Sequence, residues 1–220
     1  MKPIIIFGAG DIAQVAHFYF THDSTYNIKA FTVDQEFLTD SEFCGLPVFP
    51  FEEIERRYPP EEYDMFVAVS YAGINSVRAD KCAKAKAKGY RLTSYVSSKA
   101  TTWPDLSIGE NCFILEDNTI QPFVRIGNNV TLWSGNHIGH HSTIGDNCFI
   151  TSHVVVSGGV NIGQNCFIGV NATLRDHINI AEKCVIGGGA TIMADTQESG
   201  VYKAPKAELS KIPSYRLKGL

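Results

Sequence analysis

The middle of the chain repeats its hydrophobic pattern every six residues. From Ile108 to Ile192, every sixth position is a branched aliphatic residue, and all fifteen positions stay in register. A second column lies two residues earlier in each hexad and is mostly small or β-branched, with Asn118, Asn136 and Ser142 as its polar members. Because neither a helix nor a flat strand gives a clean period of six, the pattern predicts a chain that turns a corner every six residues.

A longer period of three hexads is superimposed on the short one. It is marked by Cys112, Val130, Cys148, Cys166 and Cys184. Three hexads then form one coil of a triangular prism, and each coil pairs its backbone with the next at about 4.8 Å. Both columns face the interior, where a cysteine acts as a small hydrophobic side chain. The pattern predicts a parallel β-helix over residues 99–194.

The N-terminal part of the chain has the pattern of a strand, a glycine turn and a helix. Residues 3–7 predict a buried strand, Gly8 and Gly10 follow at once, and apolar residues then recur at helical spacing. Such a turn can hold a phosphate at the N-terminus of the helix. A second predicted strand, 28–33, ends at Asp34, which lies about as far beyond Gly10 as the acidic residue that meets a ribose hydroxyl in nucleotide-binding folds.

These elements predict a small Rossmann-like domain over residues 1–98. Strands over 65–70 and 91–96 and a helix over 75–88 complete it, and we expect the lysines of that helix, Lys81 among them, to be solvated. The domain is too short for the six-stranded dinucleotide fold, so it fits a single nucleotide better than NAD. The alternative is a glycine turn that serves packing only. The candidate nucleotide contacts are Gly8, Gly10, Asp11 and Asp34.

Composition and charge exclude several classes of protein. A net charge of -4 and a pI near 6.0 give no basic surface for nucleic acid. The absence of a signal-peptide pattern and of a long apolar run predicts a cytoplasmic protein with no membrane contact. Four of the six cysteines lie in the inward column, so we expect neither disulfides nor a metal site. Residues 195–220 are expected to form a tail that packs on the prism or on a neighbouring chain.

The candidate chemistry lies where histidines cluster. His140 and His141 fall between the inward positions Ile138 and Ile144, so we expect them to be exposed at a corner. A histidine with its ordinary pKa near 6.5 can exchange a proton at neutral pH. Gly158 follows His140 by three hexads and therefore lies one coil above it, where its bare N–H can hold a developing oxyanion. This corner offers a base and a donor, as acyl transfer requires.

The order of these features resembles the NeuD/PglD-type sugar acyltransferases, a group of hexapeptide-repeat enzymes. The resemblance rests on a short nucleotide-type domain, uninterrupted hexads, His140 at a corner and Ser-Gly-Gly-Val at 157–160 one coil later. It implies a left-handed β-helix, a homotrimer with active sites between subunits, and transfer from acetyl-CoA to an amino group of a nucleotide-linked deoxy sugar. It also implies His140 as general base and the Gly158 amide as the contact to the thioester oxygen. The further candidate contacts are Gly188, Ala190, Lys203 and Lys206 for CoA and Asn136 for the sugar.

Three features depart from the family pattern. The residue after the catalytic histidine is usually acidic, whereas here it is His141, so the imidazole is oriented by His141 or by a group elsewhere. The His-Ala-Lys that usually follows the glycine turn is replaced by Ile-Ala-Gln at 12–14. The C-terminal Gly-x-Pro-Ala-Lys is matched only loosely at 203–206, so Lys203 and Lys206 either meet CoA phosphates or are solvated.

Three alternatives remain on the sequence alone. In the first, the acceptor is a sugar hydroxyl, and the protein is an O-acetyltransferase. The second alternative resembles the γ-class carbonic anhydrases, which use three histidines; here His141 and His177 are six hexads apart, but Glu182 stands where the third would be expected. The last is a solenoid that only scaffolds, beside a nucleotide domain that only senses.

Overall fold

The chain, which a computed structural model describes over residues 2–216, begins with a five-stranded sheet. Its strands are β1 (Ile4–Phe7), β2 (Ile28–Val33), β3 (Glu42–Phe43), β4 (Leu46–Pro50) and β5 (Asp64–Val67). They lie in the order β3-β4-β2-β1-β5, and all pairs are parallel except β3 with β4. Ile4, Ile5 and Ile6 are fully buried, as expected of a central strand whose two faces are both covered.

Three helices cover the two faces of this sheet. They are α1 (Asp11–His22), α2 (Ile54–Arg57) and α3 (Ser76–Ala87), and short 3₁₀ turns lie at Gln35–Phe37 and Phe51–Glu53. Helix α1 packs Ala16 and Phe20 on one face, and α2 and α3 pack Ile54 and Ala85 on the other. The predicted Rossmann-like domain is confirmed. No helix within residues 2–216 combines the length and the apolar character needed to cross a membrane.

The strand predicted over residues 91–96 does not form as one element. Leu92 makes a single bridge to Met65, whereas β6 (Tyr95–Val96) pairs with the first full coil of the prism. The Ser94 hydroxyl helps to move the chain across, because it donates to Gly109 O and accepts from Cys112 N. The prism therefore begins at Tyr95, before the predicted boundary at 98.

The prism consists of two-residue strands that repeat on three sheets. The strands are β7 (Ser107–Ile108), β8 (Phe113–Ile114), β9 (Thr119–Ile120), β10 (Arg125–Ile126), β11 (Thr131–Leu132), β12 (His137–Ile138), β13 (Thr143–Ile144), β14 (Phe149–Ile150), β15 (Val155–Val156), β16 (Asn161–Ile162), β17 (Phe167–Ile168), β18 (Thr173–Leu174), β19 (Asn179–Ile180), β20 (Val185–Ile186), β21 (Thr191–Ile192) and β22 (Val201–Tyr202), and a last 3₁₀ turn lies at Ser214–Arg216. Sheet I has the order β19-β16-β13-β10-β7, sheet II β22-β20-β17-β14-β11-β8-β6 and sheet III β21-β18-β15-β12-β9. Because β22 extends sheet II, the prism ends at Tyr202 and not at the predicted residue 194. The fold is a left-handed parallel β-helix, as predicted.

The interior of the prism is formed by the two sequence columns. All members are buried except Leu106 and Ile108, which lie at the open N-terminal end. Parallel pairing joins residues three hexads apart, as between Ile126 and Ile144. Asn136 belongs to this interior: it is 1% exposed, its amide nitrogen donates to Asn118 Oδ1 at 3.0 Å, and its oxygen accepts from Val154 N at 2.8 Å.

The third residue after each inward aliphatic from Ile108 to Ile186 turns the corner in the left-handed backbone region. Its φ is 54° at Asn111, 61° at His141, 57° at His177 and 70° at Gly159. Asparagine, histidine and glycine adopt this region most readily, which explains why they recur in this column. For residues 109–192, the corner between sheets III and I is called the histidine corner, and the corner between sheets II and III is called the tail corner.

The N-terminal domain packs on the outer face of sheet II. The Tyr71 ring packs edge-on against Phe149 and at a tilt against Phe167 of that sheet. Arg78 of α3 is 2% exposed and donates to Asn129 Oδ1 at 2.9 Å and to Asn129 O at 3.1 Å. These contacts join the two domains on the side of the prism opposite the histidine corner.

Candidate active site

His140 and His141 lie at the histidine corner, between β12 and β13, and both are exposed. The backbone N–H of His140 donates to Gln121 Oε1 at 2.9 Å, which holds the corner to the coil below. The His141 ring packs on Phe123 with a centroid separation of 4.7 Å. The two histidines are therefore placed by the coil geometry, with their rings on the surface.

The rings of the two histidines are joined through their Nδ1 atoms, which are 3.0 Å apart. One Nδ1 must carry the proton and the other must accept it. When His140 donates through Nδ1, its Nε2 keeps a lone pair and can act as a base. In that tautomer, His141 Nδ1 is the acceptor at the position where the resembled family usually has an acidic residue.

Gly158 lies directly against the His140 ring. A Cβ built on Gly158 would stand 2.7 Å from both Cε1 and Nε2 of His140, so any larger residue would require the His140 ring to shift. The next peptide is fixed at both ends, because Gly159 N donates to His140 O at 2.8 Å and Gly158 O accepts from His177 N at 3.0 Å. The N–H of Gly158 itself has no acceptor within residues 2–216 and is free to bind a ligand.

The glycine turn of the N-terminal domain borders a cavity of about 340 Å³ that is also lined by Asp34 and Lys81. Gly8 has a φ of 122°, and a Cβ there would stand 2.6 Å from Ala68 O, so the turn requires this glycine. Gly10 precedes α1, and a Cβ there would meet nothing within 4 Å. The turn thus leaves open space at a helix N-terminus, as phosphate binding requires.

Lys81 was expected on a solvated face, and this expectation is wrong. Its ammonium group lies 2.7 Å from Asp34 Oδ2, and both side chains are 14% exposed. The sequence signal was weak, because Lys81 lies in a helix with three other lysines. Asp11 lines a neighbouring cavity of about 350 Å³ together with Gly10 and Tyr71, next to the prism.

The predicted CoA contacts lie at the tail corner and not with His140. Gly188 and Ala190 follow β20, and a Cβ on Gly187 would meet Tyr202 O at 3.0 Å and Lys203 Cα at 3.5 Å. Lys203 and Lys206 are exposed. The sequence spacing already indicates that Gly188 and His140 lie at different corners, because Gly188 follows His140 by eight hexads, which is not a whole number of coils.

Asn136 is a correction to the predicted sugar contacts. Its side chain is sealed in the prism by its bonds to Asn118 and Val154, and it cannot reach a ligand. Its position in the inward column was the signal for this burial. Within residues 2–216, no three histidine, cysteine, aspartate or glutamate side chains lie together as a metal would require, and His141 and His177 stay two coils apart.

Comparisons with protein families match the prism. Residues 105–139 and 125–158 match the model described as bacterial transferase hexapeptide (six repeats), and residues 159–194 match the hexapeptide repeat of succinyl-transferase. The sequence of the prism thus matches hexapeptide-repeat models over residues 105–194. The comparison with curated proteins finds no match.

Solved structures match nearly the whole chain, nucleotide domain included. PerB from Caulobacter crescentus, in complex with CoA and GDP-perosamine, is 22% identical, with 93% of this chain and 95% of that chain covered and a TM-score of 0.82. The acetyltransferase domain of PglB from Neisseria gonorrhoeae is also 22% identical, with 93% and 97% covered and a TM-score of 0.82. WeeI from Acinetobacter baumannii is 17% identical, with 91% and 96% covered and a TM-score of 0.70. The predicted resemblance is confirmed at the level of the repeats and of the two-domain fold.

Proposed function

We propose that the protein is an acetyl-CoA-dependent N-acetyltransferase that acts on a nucleotide-linked amino sugar. The observation that carries the proposal is the free Gly158 N–H beside the His140 ring, which unites a base and an oxyanion donor at one corner. The open glycine turn with Asp34 and Lys81 supplies a site for the nucleotide. PerB, which has the same fold, binds CoA and GDP-perosamine, and this supports the same pair of substrate classes here.

His140 is the general base of the proposed reaction. Its Nδ1–H donates to His141 Nδ1, so that Nε2 faces Gly158 with a free lone pair. As the sugar amine attacks the thioester carbon, Nε2 takes the proton that the nitrogen must lose. A positioned base of this kind contributes about 10²–10⁴-fold to the rate.

The Gly158 N–H stabilises the negative charge that develops on the thioester oxygen. The peptides around it are held by His140 O below and His177 N above, so the donor needs little reorganisation during the reaction. Removal of one such donor costs about 10²–10³-fold in other acyl-transfer sites. No covalent enzyme intermediate is needed, since the four cysteines of the prism column are buried.

The domain arrangement supports a site shared between chains. The nucleotide domain covers sheet II, whereas the histidine corner lies between sheets III and I on the opposite side of the prism. Each side of a coil spans six residues, or at most about 20 Å. A sugar held at Gly10 is therefore brought to His140 of a neighbouring chain, in a homotrimer whose subunits meet through two different corners. CoA then lies along the tail corner of one chain, beside Gly188, Ala190, Lys203 and Lys206, and reaches the histidine corner of the next.

The first experiment measures thiol release from acetyl-CoA with GDP-, UDP- and dTDP-linked amino sugars. His140→Ala is expected to lower kcat by about 10²–10⁴-fold. His22→Asn is the matched control, because His22 is a histidine of α1 on the other domain. Thiol release with sugars that offer only hydroxyl groups, but with no amino sugar, would show that the acceptor is oxygen. Failure to bind acetyl-CoA would contradict the acyltransferase function itself.

The second experiment tests the shared site by complementation. His140→Ala lacks the base, and Gly10→Leu places a side chain in the open turn, where a Cβ would meet nothing within 4 Å. Each variant is expected to be inactive alone. Co-expressed in equal amounts they form mixed trimers in which one site of three is complete, so about a quarter of all sites are active. A mixture without activity would show that each chain uses its own two domains.

A further inference from the structure

A third imidazole lies at the histidine corner, on the far side of the glycine pair. His177 lies one coil above Gly159 and is exposed. Its Nδ1 lies 2.5 Å, and its Cε1 2.8 Å, from the position of a Cβ built on Gly159. His140 thus covers Gly158 from the coil below, and His177 covers Gly159 from the coil above.

The space between the two rings is where the proposed reaction would occur. Neighbouring coils are about 4.8 Å apart, so His140 and His177 belong to coils separated by about 10 Å with the glycine pair between them. With the thioester oxygen on the Gly158 N–H and the attacking amine beside His140, the departing sulfur points to the opposite side. That side carries His177.

We propose that His177 is the general acid that protonates the departing thiolate; this inference rests on the proposed acyltransferase function. The C–S bond breaks, its electron pair goes to sulfur, and the His177 imidazolium gives its proton to form the CoA thiol as the carbonyl re-forms. His140 keeps the proton taken from the amine. Exchange with water then returns His140 to its neutral form and His177 to its cation, so one thiol and one amide are produced.

Charged side chains surround the position of His177 in the coil pattern. Asp176 precedes it in the chain, and Asp195 follows it by three hexads, one coil above. The Asp195 carboxylate accepts from Asn179 N at 2.8 Å, which fixes it at this corner. Arg175 Nε lies 3.8 Å from Asp176 Oδ1 and partly neutralises that carboxylate.

The test uses His177→Asn, since His177 has a φ of 57° and asparagine occupies this corner position at Asn111 and Asn171. Rates are measured with acetyl-CoA and with an acetyl aryl thioester, whose thiol is acidic enough to leave unprotonated. With acetyl-CoA, we expect kcat to fall about 10- to 100-fold with little change in KM, and the decline of kcat at high pH to disappear. With the aryl thioester, the variant and the wild type should agree within about threefold.

Packing is controlled with His153→Asn at the tail corner. His153 Nδ1 lies 2.5 Å from the position of a Cβ on Gly135, the same arrangement as His177 on Gly159. The two variants should therefore show similar small changes in melting temperature. An equal loss with both thioesters, or an unchanged decline at high pH, would overturn the role of His177. A wild type that transfers acetyl to no acceptor would instead overturn the proposed function.

Discussion

Arg78 joins the nucleotide domain to the prism, and its replacement by methionine should destabilise the protein. Burial lowers the pKa of Arg78 to about 10, and no carboxylate pairs with it in the described part of the chain. Its guanidinium donates to Asn129 O at 3.1 Å and to Ser70 O at 3.4 Å, and neither carbonyl oxygen has another donor within residues 2–216. Asn129 Oδ1 and Cys148 O keep other donors, Asn111 Nδ2 and Thr131 N.

The magnitude follows from the two carbonyl groups that Arg78→Met leaves unsatisfied. Each costs about 1–3 kcal/mol when buried without a partner, and the methionine side chain fills most of the vacated volume. Because the methionine variant no longer buries a charge, part of this loss of stability is offset. The expected net destabilisation is about 2–4 kcal/mol.

The assay is thermal unfolding followed by tryptophan fluorescence, since Trp133 lies in the cluster between the domains. About 2–4 °C per kcal/mol applies to a chain of this size, so the melting temperature should fall by about 4–16 °C. Lys84→Met is the matched control, because the Lys84 side chain on the same helix is 55% exposed and should contribute less than about 0.5 kcal/mol. If the melting temperature of Arg78→Met fell as little as that of the control, the cost of desolvating the cation would equal the stabilisation from its hydrogen bonds, and the expected destabilisation would be refuted.

Three further predictions concern the histidine corner and the domain junction. Gly158→Ala places a methyl 2.7 Å from His140 Nε2, so kcat should fall about 100-fold in steady-state assays while the circular dichroism spectrum stays unchanged. Full activity would contradict the close approach of the His140 ring to the Gly158 peptide. His141→Leu removes the acceptor for His140 Nδ1, which lies 3.0 Å away, and should lower kcat about 10-fold more than His141→Asn, which keeps an acceptor; equal rates would exclude His141 as the orienting group. Hydrogen bonds from Ser98 and Tyr95 hold the pKa of Asp23 well below its usual range. The stability that Asp23 contributes is therefore present above its unfolded pKa of about 3.9 and is lost as the pH falls below it, so Asp23→Asn should lower the melting temperature at pH 7 and matter less near pH 3.

The prism could be predicted from sequence because one local rule is repeated fifteen times. Each hexad places its aliphatic residue inside, and Ile114, Ile150 and Ile186 are fully buried as the pattern requires. The same arithmetic predicts that Gly158 lies one coil above His140, as the structure shows. It also places Gly188 at a different corner from His140 and buries Asn136, which the family resemblance alone led us to expect near the sugar.

Contacts between the domains could not be predicted, because no local pattern encodes them. Arg78 lies on α3 among lysines and polar residues, and the sequence does not distinguish a buried arginine from a solvated one. The strand at Tyr95–Val96 follows the apolar pattern of the preceding domain but pairs with Phe113–Ile114 of the prism. Which sheet accepts a short apolar strand depends on free backbone groups elsewhere in the chain.

The corner geometry sets different limits on insertions for the core of the prism and for the candidate site. Inserting one extra hexad between Ile144 and Ile150 would keep every aliphatic side chain inside, so the core would tolerate it. Such an insertion would nevertheless rotate all later coils by one side of the triangle and carry Gly158 away from His140. An insertion of three whole hexads would return Gly158 to the same corner, but two coils above His140 instead of one. The core thus tolerates insertions of whole hexads between His140 and Gly158, whereas the site tolerates none.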